Sequence, residues 1–154
     1  MFLIDYFRKR KIKKETLAFE RSGVLREFIY SYGNMAEGMT SYLLKDEGDS
    51  LSFIFLKTSM RDGEEIRSDM ELPLSQAQQF KGLIRENQLY LWNGFNKSSS
   101  VIATGNSFTL KAVFDNYTLK ASGMVMLPED YEKKHQALSA FLKGIVRENY
   151  TDIS

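Results

Sequence analysis

Ser107-Phe108-Thr109-Leu110-Lys111-Ala112-Val113-Phe114-Asp115-Asn116-Tyr117-Thr118-Leu119-Lys120-Ala121-Ser122 decides the fold class of this chain. Phe108, Leu110, Ala112 and Phe114 alternate with polar or exposed positions, and after Asp115-Asn116 so do Tyr117, Leu119 and Ala121. Successive side chains of a strand point to opposite faces, so each run has one apolar face and one wet one. Two such runs around a two-residue turn read as a β-hairpin. A hairpin with one apolar face needs a second layer to bury it.

Downstream, Gly123 and Pro128 punctuate the chain, and a helix is expected from about Glu129 to Asn149. Tyr131, Leu138, Phe141, Leu142, Ile145 and Val146 share one face of it, and Glu129 and Asp130 complement the dipole of its first turn. Upstream, Leu89 to Phe95 is aromatic and Asn96 to Asn106 reads as a polar loop containing Ser98-Ser99-Ser100. Before these, Pro73 and Ser75 mark a helix start. Leu74, Ala77, Phe80, Leu83 and Ile84 form its apolar face, and Asn87 lies near its end.

The first half of the chain reads as a run of strands. Phe28, Tyr30 and Tyr32 alternate from Val24 onward, and Gly33, Asn34 and Gly38 mark a loop. A second strand follows from about Thr40 to Lys45, then a turn at Asp46-Glu47-Gly48-Asp49. Leu51 to about Met60 is apolar on both faces, which predicts a central strand covered on both sides. Arg61-Asp62-Gly63 is the next turn, and Glu64 to Leu72 a more polar fourth strand. The stretch to about Glu20 has no Gly or Pro and many good helix formers, so it predicts a helix ending near Ser22-Gly23.

An offset of 66 residues lays Thr40-Ser41-Tyr42-Leu43-Leu44-Lys45 on Asn106-Ser107-Phe108-Thr109-Leu110-Lys111. Leu51 then falls on Tyr117, and each half continues to a Leu-Pro, a helix and an Arg-Glu-Asn. A ββα duplication and a convergence of turn and helix-start chemistry both produce this match. Either way, burying two apolar hairpins and two amphipathic helices favours a shared antiparallel sheet.

These elements make an α+β domain. It has a mainly antiparallel sheet of about five or six strands, two packed helices and an N-terminal helix. Residues 1–22 are read as a basic helix or arm and residues 23–154 as the domain proper. A chain of 154 residues with 43% hydrophobic and 27% charged side chains can bury a sizeable core and is neither disordered nor fibrous.

Several chemistries are excluded by residue type. The chain has no cysteine, so disulfides, thiolate metal sites and thiol nucleophiles are impossible. His135 is the single histidine, which leaves no zinc set, and no Gly-x-Ser-x-Gly elbow accompanies it. It is expected on or beside the apolar face of the last helix as a structural residue. Counted as an EF-hand loop from Asp46, the twelfth position is Lys57 rather than a bidentate Glu, so the acidic segments read as turns. No phosphate-cradling glycine motif occurs. The reading therefore names no metal, no cofactor and no catalytic residue. A carboxylate-only enzyme stays open, because twenty acidic residues offer many pairings.

Two regions could recognise a partner. Tyr90, Trp92, Asn93 and Phe95 flank a polar loop and form either a ligand or protein surface or a staple of helix to sheet. Arg8, Lys9, Arg10, Lys11, Lys13 and Lys14 make residues 1–14 carry +5 while the remainder carries −4. Such a cluster suits nucleic-acid phosphates or anionic lipid headgroups, and Phe2, Leu3, Ile4 and Phe7 beside it suit a shallow membrane-lying segment. The bland alternative is a solvated helix docked by Ile4, Phe7 and Leu17. No secretory pattern precedes the basic run, and the longest apolar stretches are four residues. A cytoplasmic location is the default expectation, and the glycosylation triplets at Asn96, Asn116 and Asn149 carry no weight without secretion.

Trp92-Asn93-Gly94-Phe95, Ser107-Phe108-Thr109-Leu110, Ala121-Ser122-Gly123 and Pro128-Glu129-Asp130-Tyr131 resemble a pattern in an uncharacterised family of Gram-positive bacterial proteins. The resemblance covers roughly residues 75–145 and rests on turn, strand and helix-start residues. It implies a bacterial, intracellular or cell-surface-associated domain and brings no activity with it. The leading expectation is a non-enzymatic binding or protein-interaction module, whose partner is a protein or small ligand. The alternative is a nucleic-acid or anionic-membrane binder through the arm, and the third is a carboxylate-dependent enzyme.

Overall fold

The computed structural model describes residues 2–59, 61–99 and 105–149. Its elements run α1 (Phe2–Glu20), β1 (Leu25–Asn34), β2 (Gly38–Asp46), β3 (Leu51–Thr58), β4 (Glu65–Leu72), α2 (Gln76–Glu86), a 3-10 turn (Leu89–Trp92), β5 (Asn96–Ser98), β6 (Ser107–Phe114), β7 (Thr118–Met124) and α3 (Tyr131–Asn149). Met60, expected to end the third strand, and residues 100–104 of the expected polar loop lie outside the described residues.

Seven strands form a sheet of order β4-β3-β2-β1-β6-β7-β5. All neighbours are antiparallel except β5 with β7. The α+β class and the packed helices follow the sequence pattern, while the sheet has one strand more than five or six. The addition is β5, three exposed residues from the expected polar loop. Its pairing depends on the free edge of β7, which no local pattern records.

The alternation of each strand sets the core. Phe28 and Tyr30 of β1, Tyr42 and Leu44 of β2, Leu51 and Phe53 of β3, and Phe108, Leu110, Ala112, Leu119 and Ala121 of the β6–β7 hairpin are all buried. Cross-strand register places them on one face, for example Tyr30 opposite Tyr42 and Leu110. Helix α2 covers that face through Phe80, whose ring meets Phe28 and Phe53 edge-on, and Phe141 of α3 packs on Phe80. The other face carries Ser31, Ser41, Ile54, Leu56, Lys111 and Lys120, all half-buried or exposed. This corrects the expectation for β3. The strand stands one place from the edge, and only its Leu51 and Phe53 side is covered by helices. Leu74 is likewise not part of the helix's buried face: it precedes α2 and is 43% exposed.

The two similar hairpins lie on opposite sides of β1. Strands β2 and β6 both run antiparallel to β1 and so parallel to each other, yet β3 lies outside β2 to one side and β7 outside β6 to the other. Both hairpins turn their apolar side to the same helical layer. A rotation that keeps strand direction and covered face is the identity, so the two ββ units have opposite hands and do not superpose. The offset of 66 therefore maps strands of like burial, such as Tyr42 and Phe108, without a rotational structural repeat.

Backbone chemistry holds the end of the sheet where β1 turns into β2. Gly38 has φ +110, and a Cβ there would collide with the Thr58 carbonyl of β3. Only glycine accepts both the left-handed conformation and that close approach. At the opposite end, Arg26 bridges Asp46 and Asp115, each at 2.8 Å. Asp46 also accepts the Gly48 N–H at 2.8 Å. Asp46 and its acidic neighbours thus form a hydrogen-bonded turn.

Candidate functional site

The period-2 pattern of β1 puts Phe28, Tyr30 and Tyr32 on the helical side of the sheet. Register then sets Tyr42 opposite Tyr30, and Phe55 opposite Tyr42. Above them α3 contributes Tyr131, His135 and Ser139, four residues apart and hence on one helix face. Further along the strands the same side carries Thr40 and Lys57, which are opposite each other. Small and polar groups do not fill the space that aromatics fill elsewhere. A cleft of about 510 Å³ results, and its walls include Tyr32, Tyr42, Phe55, Lys57, His135 and Lys143.

The floor is a hydrogen-bonded cluster of phenols around the only imidazole. The Tyr30 hydroxyl lies 2.6 Å from His135 Nδ1 and 3.2 Å from the Tyr131 hydroxyl. Burial is the main cause pushing the Tyr30 and Tyr131 phenols up, so both keep their protons. Burial lowers His135 from its ordinary value, with the Glu132 carboxylate opposing and Lys143 adding to the effect. A neutral imidazole and a protonated phenol can each donate or accept, so one proton lies between the Tyr30 hydroxyl and His135 Nδ1 and another between the Tyr30 and Tyr131 hydroxyls. Tyr32 packs edge-on to the imidazole with ring centres 4.5 Å apart, and its hydroxyl is 3.5 Å from Ser139 Oγ.

Tyr42 breaks this pattern of satisfied groups. The residue is 0% exposed, and its hydroxyl is buried without a hydrogen-bond partner. Burial and the neighbouring Tyr32 phenol push its pKa up, but the two hydroxyls do not meet hydrogen-bond geometry. Leaving a buried hydroxyl unpaired costs roughly 1–3 kcal/mol, and in this cluster the unpaired one belongs to a wall of the cleft. Glu37 and Glu132 also line the cleft and are exposed. No group of three or more acidic or histidine side chains suited to a metal occurs among the described residues.

The aromatic segment singled out from sequence lies elsewhere and is mostly inside. Tyr90 and Trp92 are 5% and 4% exposed, which corrects their reading as a recognition surface. Tyr90 stacks on Phe19 of α1 at 4.9 Å. Trp92 stacks on Tyr131 at 5.7 Å and donates its indole N–H to Asp130 at 3.0 Å. Asn93 accepts the Lys120 backbone N–H at 3.0 Å and donates to Glu15 at 3.3 Å. Phe95 is half-buried against Phe108. This segment staples α1 and α3 to the sheet.

The basic arm is the outer part of α1. Every side chain from residue 2 to 14 is exposed, including Arg8, Lys9, Arg10, Lys11, Lys13 and Lys14. Ile4, Phe7 and Leu17 are 68%, 59% and 45% exposed, so they do not dock the helix. Phe19 does so instead, fully buried against Tyr90 and Phe114. Glu15 assists by accepting the Tyr117 hydroxyl at 3.0 Å. Among the described residues no helix is long and apolar enough to cross a membrane.

The cleft residues Tyr32, Tyr42, Lys57 and Lys143 were not legible as a site. The available signal was three tyrosines on one side of β1 and β2 with a histidine four residues after Tyr131, which by itself describes a core as well as a pocket. No family model and no curated protein matches the chain.

Proposed function

We propose that this protein is a non-enzymatic binding module, and that its ligand is a small organic molecule held in the cleft between α3 and the ends of β1, β2 and β3. The buried, unpaired Tyr42 hydroxyl carries this reading. It is closed off from the open space of the cleft, so it donates to a ligand acceptor only where the wall yields to the ligand, and it is penalised while no acceptor is present. The cleft volume of about 510 Å³ falls in the range of small-molecule sites, roughly 300–1,000 Å³. The cleft also offers aromatic walls at Tyr32 and Phe55, the His135 imidazole, the ammonium groups of Lys57 and Lys143, and the carboxylates of Glu37 and Glu132. The complementary molecule therefore carries both hydrogen-bond acceptors and donors.

Binding fits this chemistry better than turnover. Nucleophiles and general bases need pKa values brought toward neutrality, whereas the phenols here are pushed upward by burial. His135 Nδ1 is already engaged in a hydrogen bond with Tyr30.

The test compares wild type with Tyr42→Phe in a thermal-shift screen of small polar and aromatic metabolites. The variant should melt higher without ligand and lose most of any ligand-induced shift seen in the wild type. A ligand at a hundred times its dissociation constant stabilises by about 2.7 kcal/mol, well above detection. Equal ligand shifts in both proteins would place binding outside the cleft. Turnover in a broad hydrolase or transferase screen, abolished by a substitution at His135 or Glu132, would replace binding by catalysis.

A further inference from the structure

The sheet has a second face, and among the described residues no helix covers it. All three helices pack on the side of Phe28, Phe53, Phe108 and Phe114. On the other side the register sets one residue of each successive strand in a row. Asp69 of β4 is followed by Ile54 of β3, Leu43 of β2, Ile29 of β1, Lys111 of β6 and Lys120 of β7. The three aliphatic members are half-buried, and Leu56 and Val113 enlarge their patch. Strand β3 is apolar on both faces, the pattern of a strand with a layer on each side, yet helices supply only one layer.

Charge is divided across this face. On β4, Glu65, Asp69 and Glu71 stand beside a single cation, Arg67, which pairs with Asp69 at 3.0 Å. On β6 and β7 the same face carries Lys111 and Lys120 and no acidic strand residue. Glu27 of β1 lies 3.9 Å from Lys111, and the exposed Lys45 of β2 stands opposite Glu27 near the end of the strands. A surface of one charge sign, such as a bilayer or nucleic acid, would meet like charge on one half of this face. A second copy of the chain supplies both signs.

Two aligned ways exist to lay one copy on another face to face. A twofold axis across the strands sets β4 on β4, acid on acid. An axis along β2 sets β4 over β6 and β3 over β1, so Asp69 meets Lys111, Ile54 meets Ile29 and Leu43 meets itself. The row is the same from either end with its charge reversed, which is the self-complementarity that an isologous interface requires.

We propose that two copies of this chain pair through their open sheet faces about a twofold axis along β2. Five strands spaced about 4.8 Å and about eight residues long at about 3.4 Å each give roughly 650 Å² per copy. The total of roughly 1,300 Å² is at the small end of specific interfaces. The cleft beside Tyr42 lies on the helical side of the sheet, so the dimer presents two clefts outward.

Sedimentation velocity of the full chain between about 1 and 100 μM, the range in which a small interface dissociates, should show a monomer–dimer equilibrium. Ile54→Lys should leave only monomer. Lys111→Glu and Asp69→Lys each set like charges together twice per dimer and should each raise the dimer Kd at least about tenfold. The double variant should regain at least about tenfold over either single one. Within one copy these residues stand four strand spacings apart, about 19 Å, beyond a Debye length of about 8 Å at physiological salt. The regain therefore reads a contact between copies. A monomer throughout the range overturns the proposal, and a dimer that survives Ile54→Lys assigns pairing to another surface. Single swaps that weaken the dimer without regain in the double variant refute the axis along β2. Unchanged Trp92 fluorescence in each variant confirms that the body is folded, and the two exchanged charges decide the question if Ile54→Lys does not fold.

Discussion

Two aromatic clusters sit on the same covered face of the sheet and behave differently. Around Trp92, polar tips are bonded across elements: the indole N–H reaches Asp130, Tyr117 reaches Glu15, and Asn93 is bonded on both sides. Around Tyr42, three phenols and an imidazole bond to one another or to Ser139 while the fourth phenol has no partner, and a cleft opens beside it. Aromatic residues act as mortar where the fold completes their polar edges, and they form a site where it does not. Residue type does not separate the two clusters; satisfaction does.

The largest effect expected from breaking this contrast is at the satisfied cluster. Trp92→Ala removes a buried ring stacked on Tyr131 and packed on Phe108. It should destabilise by about 3–5 kcal/mol, read as a lower denaturant midpoint. Asp130 comes next. Burial works to raise its pKa, but hydrogen bonds from Lys134 and Trp92 bring the net value below the usual carboxylate range. Asp130→Ala strands the indole donor and should cost about 1–3 kcal/mol, whereas Asp130→Asn, which keeps an acceptor oxygen, should cost less.

The unsatisfied cluster should respond with the opposite sign. Tyr42→Phe removes a hydroxyl that has no partner, so the ligand-free protein should gain about 1 kcal/mol in urea unfolding. A loss of that size instead would mean that the hydroxyl is satisfied and that the contrast between clusters is false.

Acid gives a smaller effect. His135 is held below its ordinary 6.5 by burial, so between its folded pKa and 6.5 the unfolded chain binds a proton that the folded chain refuses. Stability therefore falls as pH drops through about 6.5, levels off below the folded pKa, and is untouched by this group above about pH 7.5. His135→Gln should flatten that slope between about pH 7 and 5, where ordinary carboxylates remain ionised. The smallest effect is on the arm. Deleting residues 2–14 removes no buried side chain and should leave the unfolding midpoint of the body within about 0.5 kcal/mol.

Much of the architecture was legible because short-range periodicity records burial. Phe108, Leu110, Ala112 and Phe114 alternate because one side of β6 is covered, and Phe80, Leu83 and Ile84 recur at helical spacing because one side of α2 is. Strand β5 was missed because its three residues are all exposed and carry no pattern. The apolar run in β3 was over-read, since Ile54 and Leu56 sit half-buried on an uncovered face with the same residue types a covered strand would show. The cleft was missed for a related reason. A tyrosine four residues from a histidine looks the same whether its neighbours fill the space or leave it open.

By itself the sequence determined the order of the elements other than β5, the covered side of β1, β6, β7, α2 and α3, the excluded thiol and zinc chemistries, and the separation of a basic arm from an acidic body. These follow from residue type and local spacing, which fix dihedral preference, amphipathicity and charge. Only the tertiary structure decided that the two hairpins have opposite hands, that Trp92 is mortar while Tyr42 faces a cleft, and that α1 is held by Phe19 instead of Ile4 or Phe7. Those outcomes depend on which distant groups meet, and pairing and packing between residues far apart in the chain are set by the whole fold.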